Sequence, residues 1–148
     1  MKREHEILLG IIILILGIFI LVQINSNMQE VCIENKFCFE VEIADSDEEK
    51  TNGLSNRNLL AENRGMLFIF LEEDFYGFWM KDMEFPLDII WVDENKKIAG
   101  ITKNFQPCNS DEQCLVVYPE EKIKYVLEIN AGVSDKFNFA RGDEIRID

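Results

Sequence analysis

The chain has 148 residues, with 15 Lys and Arg against 28 Asp and Glu and a formal charge of -13, a balance that repels phosphate polymers and anionic lipid and argues against nucleic acid as a partner. Its 47% hydrophobic content supplies a packed core and sets it apart from disordered chains. The one histidine is His5, so the body of the chain has no histidine-based catalytic triad and no mixed Cys/His zinc site.

From Ile7 to Val22 the chain is an unbroken run of Ile, Leu, Val, Phe and Gly, extended by Ile24 past Gln23. About eighteen apolar residues are a minimal transmembrane span. No small-residue cleavage pattern follows in Asn25-Ser26-Asn27-Met28-Gln29, which favours an uncleaved anchor over a signal peptide. Lys2 and Arg3 precede the run and the first charge after it is Glu30. The positive-inside rule then keeps the N-terminus cytoplasmic and exports the remainder. The expected organisation is a cytoplasmic tip and anchor over 1–24, a linker over 25–30 and one extracytoplasmic domain over 31–148. Seven or so linker residues reach roughly 25 Å at most, which keeps the domain close to the cytoplasmic membrane.

Val31 to Ala44 reads as two strands around the polar break Glu34-Asn35-Lys36, a hairpin that sets Cys32 opposite Cys38. Ser46-Asp47-Glu48-Glu49 fits a capping box, with Gly53 suited to ending the short helix. A calcium loop over Asp45-x-Asp47-x-Glu49 is the sharper alternative, but Lys50 stands where such a loop needs glycine. Short apolar runs then recur at Met66 to Leu71, Phe75 to Lys81, Leu87 to Val92, Lys97 to Thr102, Ile123 to Asn130 and Glu144 to Ile147. With turn chemistry between them, as at Asp93-Glu94-Asn95, these predict strands. The fold class is mainly β: a small antiparallel sandwich or barrel-like domain with one or two short helices, behind one N-terminal transmembrane helix. Gln106 to Pro119 reads as a long loop.

Several stretches together resemble the prokaryotic family known as domain of unknown function 192. They are Val41-Glu42-Ile43-Ala44, Gly53-Leu54 with Arg57, Gly65-Met66-Leu67-Phe68, Phe78-Trp79-Met80-Lys81 with Pro86-Leu87-Asp88-Ile89, Pro107-Cys108, Tyr125 to Gly132, and Gly142-Asp143. The match runs from about Val31 to the C-terminus. The resemblance implies a mainly antiparallel β architecture, often exported, and brings no settled activity with it. Cys32 and Cys38 stand outside its pattern.

In an oxidising compartment the four cysteines pair, Cys32 with Cys38 and Cys108 with Cys114 as the expected disulfides. Their spacing suits neither a zinc ribbon nor a short redox Cys-x-x-Cys motif, and acids around Cys114 disfavour a reactive thiolate. No metal or other cofactor is expected. Alternation over Phe75 to Lys81 sets Phe75, Gly77, Trp79 and Lys81 on one face and Tyr76, Phe78 and Met80 on the other, both largely apolar. One face could line a groove with Trp79 stacking on a ring. Asp88 and Glu128 each alternate with apolar neighbours and need partners if buried, with Arg57 and Lys81 as the candidates.

These residues suggest a membrane-tethered binding module. Arg57, Trp79, Lys81, Asp88 and Glu128 would bind a small or polymeric envelope ligand near the membrane, carbohydrate among the candidates. The bland reading of the same charges is an ion-pair network in an interaction or assembly protein. A glycosidase using Asp88 and Glu128 and a thiol oxidoreductase using Cys108 and Cys114 are the enzyme alternatives, and the balance leans away from catalysis.

Overall fold

The computed structural model describes residues 6, 9–17, 28–108 and 114–148. Residues 9–17 are helical and their side chains are exposed. The rest of the predicted span lies outside the described residues, and among the described residues no helix is long and apolar enough to cross a membrane.

One seven-stranded sheet carries the domain, in the order β5-β4-β6-β3-β2-β1-β7. The strands are β1 (Met28–Ile33), β2 (Phe37–Ala44), β3 (Arg64–Asp74), β4 (Leu87–Val92), β5 (Ile98–Phe105), β6 (Ile123–Asn130) and β7 (Ile145–Ile147). Two short helices, α1 (Asp47–Asn52) and α2 (Val133–Lys136), complete it. The sheet curls into a half-barrel. At its open side Ile98 donates its N–H to the Asp143 carbonyl at 2.9 Å, and Ile145 to that of Lys96 at 2.8 Å, so the β7 end folds back towards the start of β5.

This corrects the sandwich alternative and the wholly antiparallel pattern. There is one curled sheet rather than two packed sheets, and β2 pairs with β3 in parallel. A parallel pair needs a long crossover, and the segment between the two strands, which holds α1, provides it. The predicted hairpin is present, with Cys32 in register with Cys38 and Glu34 taking the positive φ of 50° that its turn requires.

Each face of the sheet has its own core, which explains why β4 is buried at every position. Both of its faces are covered, so it reads as a continuous apolar run. Val31, Phe39, Val41, Leu67, Ile90, Leu127 and Ile129 fill the inner face with Val133 of α2. On the outer face, Met66, Phe68, Leu87, Ile89, Trp91 and Val126 are covered by Leu54, Phe78, Met80 and Met83.

The predicted strand over Phe75 to Lys81 is absent. That segment crosses the outer face as a covering layer, so its backbone pairs with the long loop at isolated bridges, Phe78 with Val117 and Lys81 with Cys108. Its alternation persists all the same: Phe78 and Met80 are buried while Phe75 and Trp79 are exposed.

Candidate functional site

The covering layer does not close completely over the outer face. It leaves a pocket of about 450 Å³ between α1, β3, β6 and residues 76–79. A capping box fixes the first wall. Ser46 Oγ accepts the Glu49 N–H at 3.3 Å while Glu49 Oε2 accepts the Ser46 N–H at 3.0 Å, so both orphan donors at the start of α1 are satisfied. This employs Glu49, one of the acids of the calcium-loop alternative, in helix capping. Gly53 ends the helix at φ 50°, a left-handed value that a side chain would resist.

A Cβ at Gly53 would lie 3.4 Å from the Phe68 ring and 4.0 Å from Glu128 Oε2, so the glycine brings backbone up to the mouth of the carboxyl group. The following turn is clamped to the loop after Trp79, with Ser55 Oγ donating to the Lys81 carbonyl at 3.1 Å and the Asn56 N–H to that of Asp82 at 2.7 Å.

Aromatic rings make the remaining walls. Phe68 and Phe78 meet edge to face at 4.9 Å, and Phe70 stacks on Tyr76 at 3.6 Å. Gly77 lets the covering segment press onto the loop, since a Cβ there would come within 2.7 Å of Val116 and Tyr118. That loop is stapled by the disulfide Cys108–Cys114, and the hairpin carries Cys32–Cys38. Both pairs are as the spacing predicts, and no cysteine is free for a four-thiolate zinc site.

Glu128 is the buried acid of the pocket, whose helix wall adds Asp47, Lys50, Thr51 and Asn52. Only 5% of it is exposed, and among the described residues no donor reaches its carboxyl group. Burial pushes its pKa up to about 8, because an unpartnered anion in an apolar wall is poorly solvated. Its cross-strand neighbours are Met66 on β3 and Ile89 on β4.

Of the five residues singled out from sequence, Trp79 and Glu128 line the pocket. Lys81 stands beside it, its Nζ 5.9 Å from the Trp79 ring centre. Arg57 lies elsewhere, in a two-pronged pair with Glu42 at 2.5 and 2.8 Å, which holds the Glu42 carboxyl below its usual range. The expected pairing of the buried carboxylates with Arg57 and Lys81 does not form: Arg57 pairs with Glu42, and among the described residues Glu128 has no ion-pair partner.

Asp88 is fully buried on the opposite face of the sheet. Its Oδ1 accepts the Asn104 N–H at 2.9 Å, and its Oδ2 accepts the Gly132 and Ser134 N–H groups at 3.0 Å each and the Ser134 hydroxyl at 2.6 Å. Asp88 is in register with Ile129 and Ile89 with Glu128, so the two acids point to opposite sides. They cannot flank one glycosidic bond, and the two-carboxylate hydrolase fails on geometry.

Sequence reasoning missed the contribution of α1 and the Gly53 turn to the pocket, and that of Phe68, Phe70 and Met83. The proximity of Gly53 to Phe68 and Glu128 comes from the parallel crossover, which local patterning does not reveal.

The profile of the family domain of unknown function 192, described as an uncharacterized ACR, matches residues 30–147. The chain belongs to this family. No curated protein matches it. A crystal structure from Sinorhizobium meliloti 1021, described as a candidate transcription regulator, is similar at 27% identity and a TM-score of 0.75, covering 81% of this chain and 93% of that one. A protein of unknown function from Novosphingobium aromaticivorans DSM 12444 is similar at 30% identity and a TM-score of 0.72, covering 80% and 84%.

Proposed function

We propose that this family member is a membrane-tethered, extracytoplasmic binding module whose outer-face pocket takes a small ligand, or one group of a polymeric envelope ligand. The observation that carries this reading is a ring-walled pocket of about 450 Å³ ending on the buried, unpartnered Glu128. Small-molecule sites have this size and combine apolar walls with placed polar groups, and a carboxyl group largely withdrawn from water is costly to hold ionised for structure alone. Trp79, at 48% exposure, offers a ring face at the rim.

The anchor rests on the apolar run from Ile7 to Val22. Helical residues such as Leu9, Ile13, Leu14 and Ile15 expose apolar side chains on all sides, which suits lipid better than water. The regulator description of the Sinorhizobium protein is not carried over, because a charge of -13 disfavours a phosphate backbone.

Binding by wild-type and Trp79→Ala protein to a panel of glycans, peptides and small organic cations tests the reading. Loss of a wild-type ligand on truncation of the ring is expected. A folded Trp79→Ala protein that binds the whole panel as wild type does would refute it.

A second reading, an interaction or assembly protein, draws on the exposed side chains of Phe75, Trp79, Leu115, Val116 and Tyr118, on the covering segment and the loop that follows it in the chain. A partner held by the acidic exterior would dissociate in moderate salt, whereas one held by the rings would not.

A further inference from the structure

We infer that the ligand group entering this pocket is an organic ammonium cation, its charge set against the Glu128 carboxylate and its alkyl groups against the surrounding rings. This rests on the binding-module reading and specifies the chemistry of the same site. The most buried polar residue of the pocket is an acid, and the rings of Phe68, Phe70, Tyr76 and Phe78 line the same cavity. A cation near ring faces is stabilised by their quadrupoles, and rings around an acid are a recurrent way to hold quaternary ammonium. The rim already attracts cations, with Lys81 Nζ 5.9 Å from the Trp79 ring centre and Lys50 Nζ 5.2 Å from that of Phe70.

Among the described residues no Lys or Arg pairs with Glu128. Lys50 lines the pocket, but its ammonium donates to the Asp45 carbonyl. Arg57 is committed to Glu42. From β3 and β4 only the uncharged Met66 and Ile89 flank the acid. Asp47 and Lys50 face the pocket from α1 and Tyr76 from the covering segment. Glu42, in register with Met66, lies two strands away on the same face. With Asp47 balancing Lys50, an ionised Glu128 leaves the cavity one negative charge.

A neutral ligand presenting a hydrogen-bond acceptor would instead engage the protonated acid, and pH separates the two cases. Glu128 titrates at about 8, so a permanently charged ligand must displace its proton at lower pH. Its affinity rises with pH and levels off once the acid is ionised.

The probes are choline and its uncharged carbon isostere, with tert-butyl in place of trimethylammonium, titrated calorimetrically against the intact chain in detergent. Choline should bind about a hundredfold more tightly at roughly pH 9 than at roughly pH 6, as a proton displaced from a group of pKa near 8 requires. The isostere should bind more weakly than choline at the higher pH and show no such slope. Glu128→Gln keeps the shape and hydrogen-bonding capacity of the protonated acid, so it should fold. It should lower choline affinity at least about tenfold at high pH and remove the slope, leaving the isostere within about twofold.

Equal binding of choline and isostere, binding that weakens as pH rises, or no choline binding at all would overturn the ammonium assignment. The first two outcomes would leave the pocket a binding site, whereas the Trp79→Ala panel bears on that reading itself.

Discussion

Asp88 and Glu128 are buried acids on neighbouring strands of one sheet, yet they lead opposite lives. Asp88, on the inner face, is met by three backbone N–H groups and the Ser134 hydroxyl. Glu128, on the outer face, lines a pocket and meets no donor among the described residues. The first ties the ends of β5 and β6 and the start of α2 to β4. Among the described residues the second accepts no hydrogen bond that would offset its burial. A saturated acid is a staple, and one that meets no described donor beside a cavity is the group on which the binding proposal rests.

The largest effect should come from Glu128→Gln as the pH rises towards 8. Its folded pKa of about 8 stands above the ordinary carboxyl value of 4.5. For a group raised in this way the stabilising contribution is complete below the unfolded pKa and disappears as pH rises through the folded one. Between about pH 5 and pH 8 the wild type should therefore lose up to about 5 kcal/mol that the glutamine variant keeps. Denaturant melts across that range measure it. Parallel loss in both proteins would mean that Glu128 is not the buried acid described.

Asp88→Ala should destabilise by roughly 4 kcal/mol at neutral pH, because buried donors lose their acceptor together. The loss should be similar with or without a pocket ligand. A ligand that rescues Asp88→Ala selectively would erase the distinction between the two faces.

How much of this was legible in sequence follows from what is local. The hairpin at Glu34 to Lys36, the capping box at Ser46 and the limits of β4 and β6 are set by residues adjacent in the chain, and the pattern shows them. The acids at 88 and 128 were recognisable as buried from their apolar alternation. Their faces and partners were not, since these depend on which strands pair and in which register. Asp88 finds its donors on β5 and around α2, as many as 46 residues away in sequence. The segment 75–81 has the period of a strand and the burial of one, but both sides of β4 are already taken by β5 and β6, so it is layered onto the sheet instead.

A milder version of the Asp88 test removes one donor and leaves the acid. Ser134→Ala deletes the hydroxyl at 2.6 Å but keeps the Ser134 N–H on the same oxygen. The expected cost is about 0.5–1.5 kcal/mol, the net contribution of a single hydrogen bond. A cost near that of Asp88→Ala would show that the hydroxyl, and not the backbone cluster, holds the acid.

Trp79→Ala should have the smallest effect on stability and a large one on ligand. The ring is half-exposed and sits at the pocket rim beside Lys81, so its loss should shift the unfolding midpoint by no more than about 0.5–1 kcal/mol of stability. Binding should fall by tenfold or so if the ring contributes the roughly 1–2 kcal/mol of a desolvated cation–π contact. Stability and binding measured on the same variant therefore separate the two faces most cleanly. An inner-face substitution should move the melt and spare the ligand, whereas a rim substitution should do the reverse. If Trp79→Ala instead unfolds the domain, the ring belongs to the outer core, and the pocket must be read as packing that the covering layer left unfinished.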